Sequence, residues 1–210
     1  MNTNYVITIG RQFGSGGREI GRIVANKLGI QYYDKELLAA AAESSGVKTE
    51  FFEASDERSP KFFASSNLWS FNVGYNIGDF FSANVSFSDE NLYRAQSDVI
   101  KSFAKQSPCV IVGRSADYVL REHPCLISIF IHASKEACAE RIIARCDCKT
   151  KEQAYEMAEK KNKLRSNYYN FYTDKEWGDA ASYDLCIDSS KMSSEMVADI
   201  IVEYVKKRIS

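Results

Sequence analysis

Histidine is almost missing from this sequence. His123 and His132 are the two it has in 210 residues, too few and too far apart to suggest metal ligation or nucleophilic catalysis. A Gly-x-Ser-x-Gly elbow and a His-Glu-x-x-His pair are both absent, so hydrolase and zinc-enzyme readings are weak. No stretch approaches the roughly 18 uninterrupted apolar residues that a membrane span needs. The start MNTNYVITIG lacks a basic segment followed by a long apolar one, so a cytoplasmic protein is expected. The formal net charge is −1, which gives no support to wholesale binding of a nucleic acid polymer, and any anion site must be local. Cysteine is present but scattered: Cys109, Cys125, Cys138, Cys146, Cys148 and Cys186 lie in the second half. Without a secretion signal they read as reduced core residues. Cys146 and Cys148 are the one close pair, and no companion Cys/His pair stands at ligand spacing, which argues against zinc and leaves no metal ligand to name.

What is present is an ordinary globular composition, 45% hydrophobic and 26% charged, at a length that suits one main domain with room for a small insertion. Short β-branched runs alternate with longer helical patterns, which favours a parallel sheet flanked by helices. The strand candidates are Tyr5–Ile9, Ile30–Tyr33, Cys109–Val112, Leu126–Ile131 and Tyr183–Ile187. All are short and apolar enough to be buried on both faces. Between Gly17 and Leu28 the apolar residues Ile20, Ile23, Val24 and Leu28 have amphipathic spacing, with Gly29 as the stop. Further helices are expected at about Glu90–Lys105, Lys135–Arg145, Lys151–Tyr172 and Ser194–Ile209. Ser134 serves as an N-cap for the second of these, and Asp34 can cap a helix in KELLAAAAES.

The section from Phe51 to Phe87 breaks the alternation. Phe51, Phe52, Phe62, Phe63, Trp69, Phe71, Tyr75, Phe80, Phe81 and Phe87 stand among Ser, Asn and Gly with no clean period. An insertion of about 48–90 is the simplest account. So many aromatics need burial, which a homodimer interface or an acceptor-covering subdomain would each supply.

The stretch YVITIGRQFGSGGREIGRIVANKLG, residues 5–29, has the layout of a phosphate-binding loop: a strand, clustered glycines, then a helix. Such a loop works because successive backbone N–H groups point into a concavity and the following helix presents its positive end. In the pattern G-x-x-x-x-G-K-[ST] a lysine reaches the β- and γ-phosphates and a hydroxyl holds Mg²⁺. With Gly16 as the second glycine, the lysine position is Gly17, the hydroxyl position is Arg18 and the first glycine position is Arg11. Either arginine can replace the missing charge through bidentate contact with phosphate oxygens. The dinucleotide pattern G-x-G-x-x-G fails at Glu19. A glycine turn without a ligand is the plain alternative.

CVIVGRSADYVL (Cys109–Leu120) delivers Gly113-Arg114 to the carboxyl end of a buried strand, and ISIFIHASKEACAERIIAR (Ile127–Arg145) follows it. With GRQFGSGGREIG and the later RSNYYNFYTDKEWGD and YDLCIDSS, these stretches resemble the cytidylate kinase-like family of nucleoside monophosphate kinase relatives over nearly the whole length. The resemblance implies a P-loop α/β three-layer sandwich on a five-stranded parallel sheet, with an inserted acceptor-binding segment and a helical lid at about 141–172. It implies phosphoryl transfer from ATP with Mg²⁺ to a small nucleotide, cytidylate first among the candidates. Residue by residue it places Arg11, Gly14, Ser15, Gly16, Gly17 and Arg18 at the triphosphate. Asp34 and Arg114 fall at the acceptor, and Arg141, Arg145, Lys161 and Arg165 in the lid, with Arg11, Arg18, Arg145 and Arg165 as the catalytic cations. The segment DKELLAA after the second strand lacks the Tyr-Arg ending of authentic cytidylate kinases.

On the residues alone, Arg141 and Arg145 share a helix face, as do Lys161 and Arg165. A solvated surface is the competing account. The stripe Arg165, Tyr168, Tyr169, Tyr172 reads as core or interface before it reads as a base-stacking surface. Arg114 points into the crevice where open α/β sheets bind ligands, unless an ion pair with Asp117 holds it. A kinase of another small acceptor, or a nucleotide- or anion-binding module without catalysis, would carry the same signals.

Overall fold

A computed structural model describes residues 4–34 and 89–210, without the side chains of 89–92 and 95. The aromatic insertion, the dimer surface it was expected to provide and the helix that Asp34 was expected to cap lie outside the described residues. The elements run β1 (Val6–Arg11), α1 (Gly17–Leu28), β2 (Gln31–Tyr33), α2 (Asp89–Gln106), β3 (Cys109–Val112), α3 (Ala116–Val119), β4 (Leu126–His132), α4 (Lys135–Ala144), α5 (Lys151–Tyr172), β5 (Leu185–Asp188) and α6 (Ser194–Ile209). All pairings are parallel and the strand order is β2-β3-β1-β4-β5. This is the expected five-stranded parallel sheet.

The central strands need apolar residues on both faces because helices cover both. Ile7 and Ile9 of β1 join Val110 and Val112 of β3 and Ile129 and Ile131 of β4 beneath α1 and α6. Val6, Cys109 and Ile111 point the other way, onto Ile100 and Ala104 of α2 and Ala116 and Val119 of α3. Each fully buried isoleucine contributes about 1.5–3 kcal/mol. The expectation of burial on both faces fails for β2 and β5. Gln31 and Asp188 are exposed, because among the described residues these strands form the two edges and each has a neighbour on one side only. Gly29 ends α1 in the left-handed conformation, φ 66, with Ile30 N donating to Ala25 O at 3.0 Å.

Ser134 caps α4 as expected, accepting from Ala137 N at 3.2 Å. Its partner α5 packs on it through Ala139, Ile142 and Ala154. All six cysteines are free, but Cys146 is exposed and Cys125, Cys148 and Cys186 are partly so. The core reading therefore holds for Cys109 and Cys138, and Cys146 falls in the turn after α4 with φ 62. The short α3 had no periodic signal of its own. No helix among the described residues is long and apolar enough to cross a membrane.

Candidate functional site at the carboxyl ends of the central strands

Strand β1 is the middle of the sheet, so its last residues arrive where the chain's connections diverge to either side, the place where open α/β sheets bind ligands. Gly10 and Arg11 occupy that edge. The loop beyond turns its carbonyls toward the protein. Gln12 N donates to Ile131 O at 3.0 Å, Ser15 Oγ donates to Gln12 O at 2.9 Å, and Ser189 Oγ donates to Ser15 O at 2.7 Å. Arg141 reaches under the loop, with Nη2 donating to Ser189 O at 2.6 Å and Nη1 to Gly14 O at 3.5 Å. With the carbonyls held inward, the orphan N–H groups that begin α1 stand at the loop's mouth. Gly14 and Gly16 have φ of +84 and +80, values that a residue with a Cβ rarely adopts. A Cβ on Gly14 would also lie 2.8 Å from Cys138 O. The hydroxyl of Ser15 is fully buried in this network, so what Ser15 offers a ligand is main chain.

The two loop arginines part company. Arg18 Nε donates to Asp34 Oδ2 at 2.8 Å, and Tyr32 Oη donates to Arg18 O at 3.1 Å. Arg18 and Asp34 are therefore one ion pair joining the start of α1 to the end of β2. Burial, reinforced by the Asp34 charge, pushes the Tyr32 phenol up to about 12. Arg11 instead folds across the loop. A Cβ on Gly17 would fall 2.6 Å from Arg11 Cβ, and one on Gly113 would fall 2.8 Å from Arg11 Cζ. Its side chain thus runs from beside Gly17 in the loop to the end of β3, where the guanidinium lies.

There Gly113, Arg114 and Ser115 are all left-handed, with φ of 84, 60 and 50. The conformation costs each non-glycine residue about 1–2 kcal/mol and recurs where function constrains the backbone. Arg114 is 4% exposed and its carbonyl lies 3.5 Å from Gln96 Nε2. The same amide donates to Tyr168 Oη at 3.0 Å. Helix α5 reaches the loop through Phe13. Asn162 Oδ1 accepts from Phe13 N at 2.7 Å, and Arg165 Nη1 donates to Arg11 O at 3.2 Å. Arg145 and Arg165 lie over the Phe13 ring at 5.3 and 5.4 Å. Arg145 also pairs with Asp147 at 2.9 Å. Lys161 is half-buried on α5.

Arg11, Arg114 and Arg165 line one small cavity of about 30 Å³ with Ser115, Asp117 and Tyr183. Asp117 accepts from Tyr169 Oη at 2.6 Å, so its partner lies on α5. Burial holds its carboxyl above the usual carboxylate range, against the lowering effect of that hydrogen bond. Burial and the neighbouring Asp117 charge also push the Tyr169 phenol up. Three of the five arginines expected from the sequence to be catalytic or acceptor-binding therefore meet, while Arg145 stands one ring away on Phe13 and Arg18 pairs with Asp34. The tyrosine stripe is packing: Tyr172 stacks on Tyr93 of α2, with centroids 4.2 Å apart. Phe13, Asn162 and Tyr183 were not foreseen, and Asp117 was read only as an ion-pair partner for Arg114. Asn162 precedes Arg165 by three positions on one helix face, a signal that was available, whereas Tyr183 arrives from a distant turn with no local pattern to mark it.

Among solved structures, an uncharacterized protein from Eubacterium ventriosum is 27% identical to this chain, with a TM-score of 0.70 and coverage of 96% of this chain and 98% of that one. A gluconokinase from Sinorhizobium meliloti shares the fold at 13% identity, TM-score 0.55, over 99% of this chain and 94% of its own. A shikimate kinase from Acinetobacter baumannii in complex with shikimate does so at 12% identity, TM-score 0.52, over 98% and 95%. A search of curated proteins gives no match. The model of the cytidylate kinase-like family matches residues 6–191, a span that holds the glycine loop, the Gly113-Arg114 turn and helices α4 and α5, and the chain belongs to that family.

Proposed function

We propose that the protein transfers the γ-phosphoryl group of ATP to a nucleoside monophosphate, with cytidylate as the first acceptor to test. The observation that supports this reading best is the path of Arg11, whose side chain crosses Gly17, the position a lysine would occupy, and ends beside Gly113. A guanidinium there can bridge phosphate oxygens bidentately. Phosphoryl transfer asks mainly for positioning and for positive charge around the transferred group. Arg11 and the α1 amides would supply these at the donor, Arg114 at the acceptor and Arg165 between them from the lid. Arg18, engaged with Asp34, serves the acceptor side of the loop. The hydroxyl that normally holds magnesium is replaced by Arg18, and no group of three or more His, Cys, Asp or Glu side chains among the described residues is arranged to hold a metal. Magnesium is then carried chiefly by the nucleotide's own oxygens and water.

The test compares Arg11→Ala with Arg18→Ala by isothermal titration with ATP, followed by turnover on a panel of nucleoside monophosphates together with the alcohols shikimate and gluconate. Loss of one charge-assisted contact, about 1.5–3 kcal/mol, weakens ATP about tenfold to a hundredfold in Arg11→Ala and much less in Arg18→Ala. Unchanged affinity in Arg11→Ala, or turnover confined to the alcohols, would refute the proposal.

A further inference from the structure

Phe13 is the one large apolar side chain in the glycine loop GRQFGSGG, where an apolar ring has nothing to offer a phosphate directly. The ring packs against the cluster of Ala139, Ile142 and Ala154 that joins α4 to α5. It also carries two cations. Arg145 Cζ lies 5.3 Å and Arg165 Cζ 5.4 Å from the ring centroid, inside the roughly 6 Å at which a guanidinium is attracted to the electron-rich face of an aromatic ring. The main chain of the same residue is tied as well, with Phe13 N donating to Asn162 Oδ1 at 2.7 Å. Loop and helix therefore meet at Phe13 through backbone and side chain together.

The two arginines come to this ring from different elements. Arg145 caps the end of α4 and pairs with Asp147, but its side chain is 50% exposed, and an exposed ion pair fixes a long side chain only weakly. Arg165 stands on α5 and donates to Arg11 O. A leucine at position 13 could fill the same apolar cluster, yet it would attract neither cation. A ring contact engages the flat face of a guanidinium and spends none of its N–H donors. The charge is then held in place while the groups that an oxyanion requires are kept. One ring also gives a common support to two like charges that otherwise repel each other.

We propose that Phe13 is a positioning residue: its ring holds the Arg145 and Arg165 guanidiniums against the glycine loop, so that the loop itself sets where the charge of α4 and α5 stands relative to a bound triphosphate. The proposal rests on the phosphotransferase reading for what the two cations do, but their placement is measured without turnover. The arginine Nε–H signals are recorded by heteronuclear NMR in the intact protein, in Phe13→Leu and in Phe13→Tyr. Arg145→Lys and Arg165→Lys identify the two signals by their loss, and circular dichroism establishes that each variant is folded. Both signals are expected to be displaced by the ring current in the intact protein, to lose that displacement in Phe13→Leu and to keep it in Phe13→Tyr. Turnover of ATP on the acceptor panel is followed in the same variants. The kcat of Phe13→Leu should fall about fivefold to thirtyfold, as the loss of two ring–cation contacts implies, and Phe13→Tyr should restore it. The KM for ATP should change by less than about twofold, because the cations act on charge that develops during transfer. Arginine signals unmoved in a folded Phe13→Leu, an undiminished kcat in that variant, or a Phe13→Tyr that behaves like Phe13→Leu would overturn the proposal. Signals that behave as expected in a protein that phosphorylates no acceptor would sink the kinase reading alone.

Discussion

The seating of the glycine loop on α4 predicts that two neighbouring glycines, alike in backbone, respond very differently to the same substitution. Gly14 and Gly16 have nearly equal φ, +84 and +80, but a Cβ at Gly14 meets Cys138 O at 2.8 Å, Cys138 Cβ at 2.9 Å and Cys138 Cα at 3.0 Å. At Gly16 the nearest atoms are Ile20 Cδ1 at 3.6 Å and Ser194 Oγ at 3.8 Å, ordinary contact distances. Gly16→Ala therefore bears the conformational cost alone, about 1–2 kcal/mol. Gly14→Ala bears that cost plus the displacement of a helix backbone that no rotamer change can move aside. Overpacking of this kind adds about 1–3 kcal/mol, for a total of about 2–5 kcal/mol. The entropy that alanine removes from the unfolded chain is common to both and cancels in the comparison. In a chain of this size 1 kcal/mol shifts Tm by about 2–4 °C. Thermal unfolding followed by circular dichroism should then show a loss of about 2–8 °C for Gly16→Ala and about 4–20 °C for Gly14→Ala, with the second always the larger. Equal losses would mean that the loop does not rest on Cys138, and the account of how α4 shapes the phosphate site would be wrong.

The buried Asp117 gives a second test, through pH. Because burial raises its carboxyl, the folded state holds that proton more tightly than the unfolded chain. Its contribution is then most favourable below the unfolded value of about 3.9 and is lost as pH rises through the folded value. Asp117→Asn removes this dependence while still accepting from Tyr169. Urea unfolding between pH 4 and pH 8 should show the variant gaining on the wild type as pH rises, and parallel profiles would refute the assignment. Arg141 supports the loop from beneath with contacts to Ser189 and Gly14. Arg141→Lys keeps the charge but not the fork, so it should destabilise the protein by about 1.5–3 kcal/mol and weaken ATP in step. Intact ATP affinity in a destabilised Arg141→Lys would separate the support from the site.

Much of the scaffold was legible because its periodicities are strong and local. Alternating β-branched runs bounded by turn residues marked the strands, and the spacing of Ile20, Val24 and Leu28 with Gly29 beyond marked α1 at Gly17–Leu28. The errors came where position in the sheet decides the outcome. Nothing local tells Gln31 or Asp188 that its strand will be an edge, and α3 is too short to carry a period. At the site, the glycine cluster and the Gly-Arg pair could be read because their chemistry lies in adjacent residues. The choice between Arg11 and Arg18 could not, since it depends on Asp34 taking one of them and on the absence of a side chain at Gly17 leaving space for the other. Phe13 and Asp117 depend on contacts across 149 and 52 positions, and Tyr183 on a shared cavity wall, relations on which a single sequence is silent.

The grip of Arg165 on the loop goes to the carbonyl of Arg11 and not to its side chain. Every amino acid carries that oxygen, so the helix stays moored whatever residue stands at the strand's end. Scaffold and charge are thereby uncoupled at position 11: the guanidinium can be exchanged for a neutral or shorter group and the fastening that brings the α5 cation to the mouth is untouched.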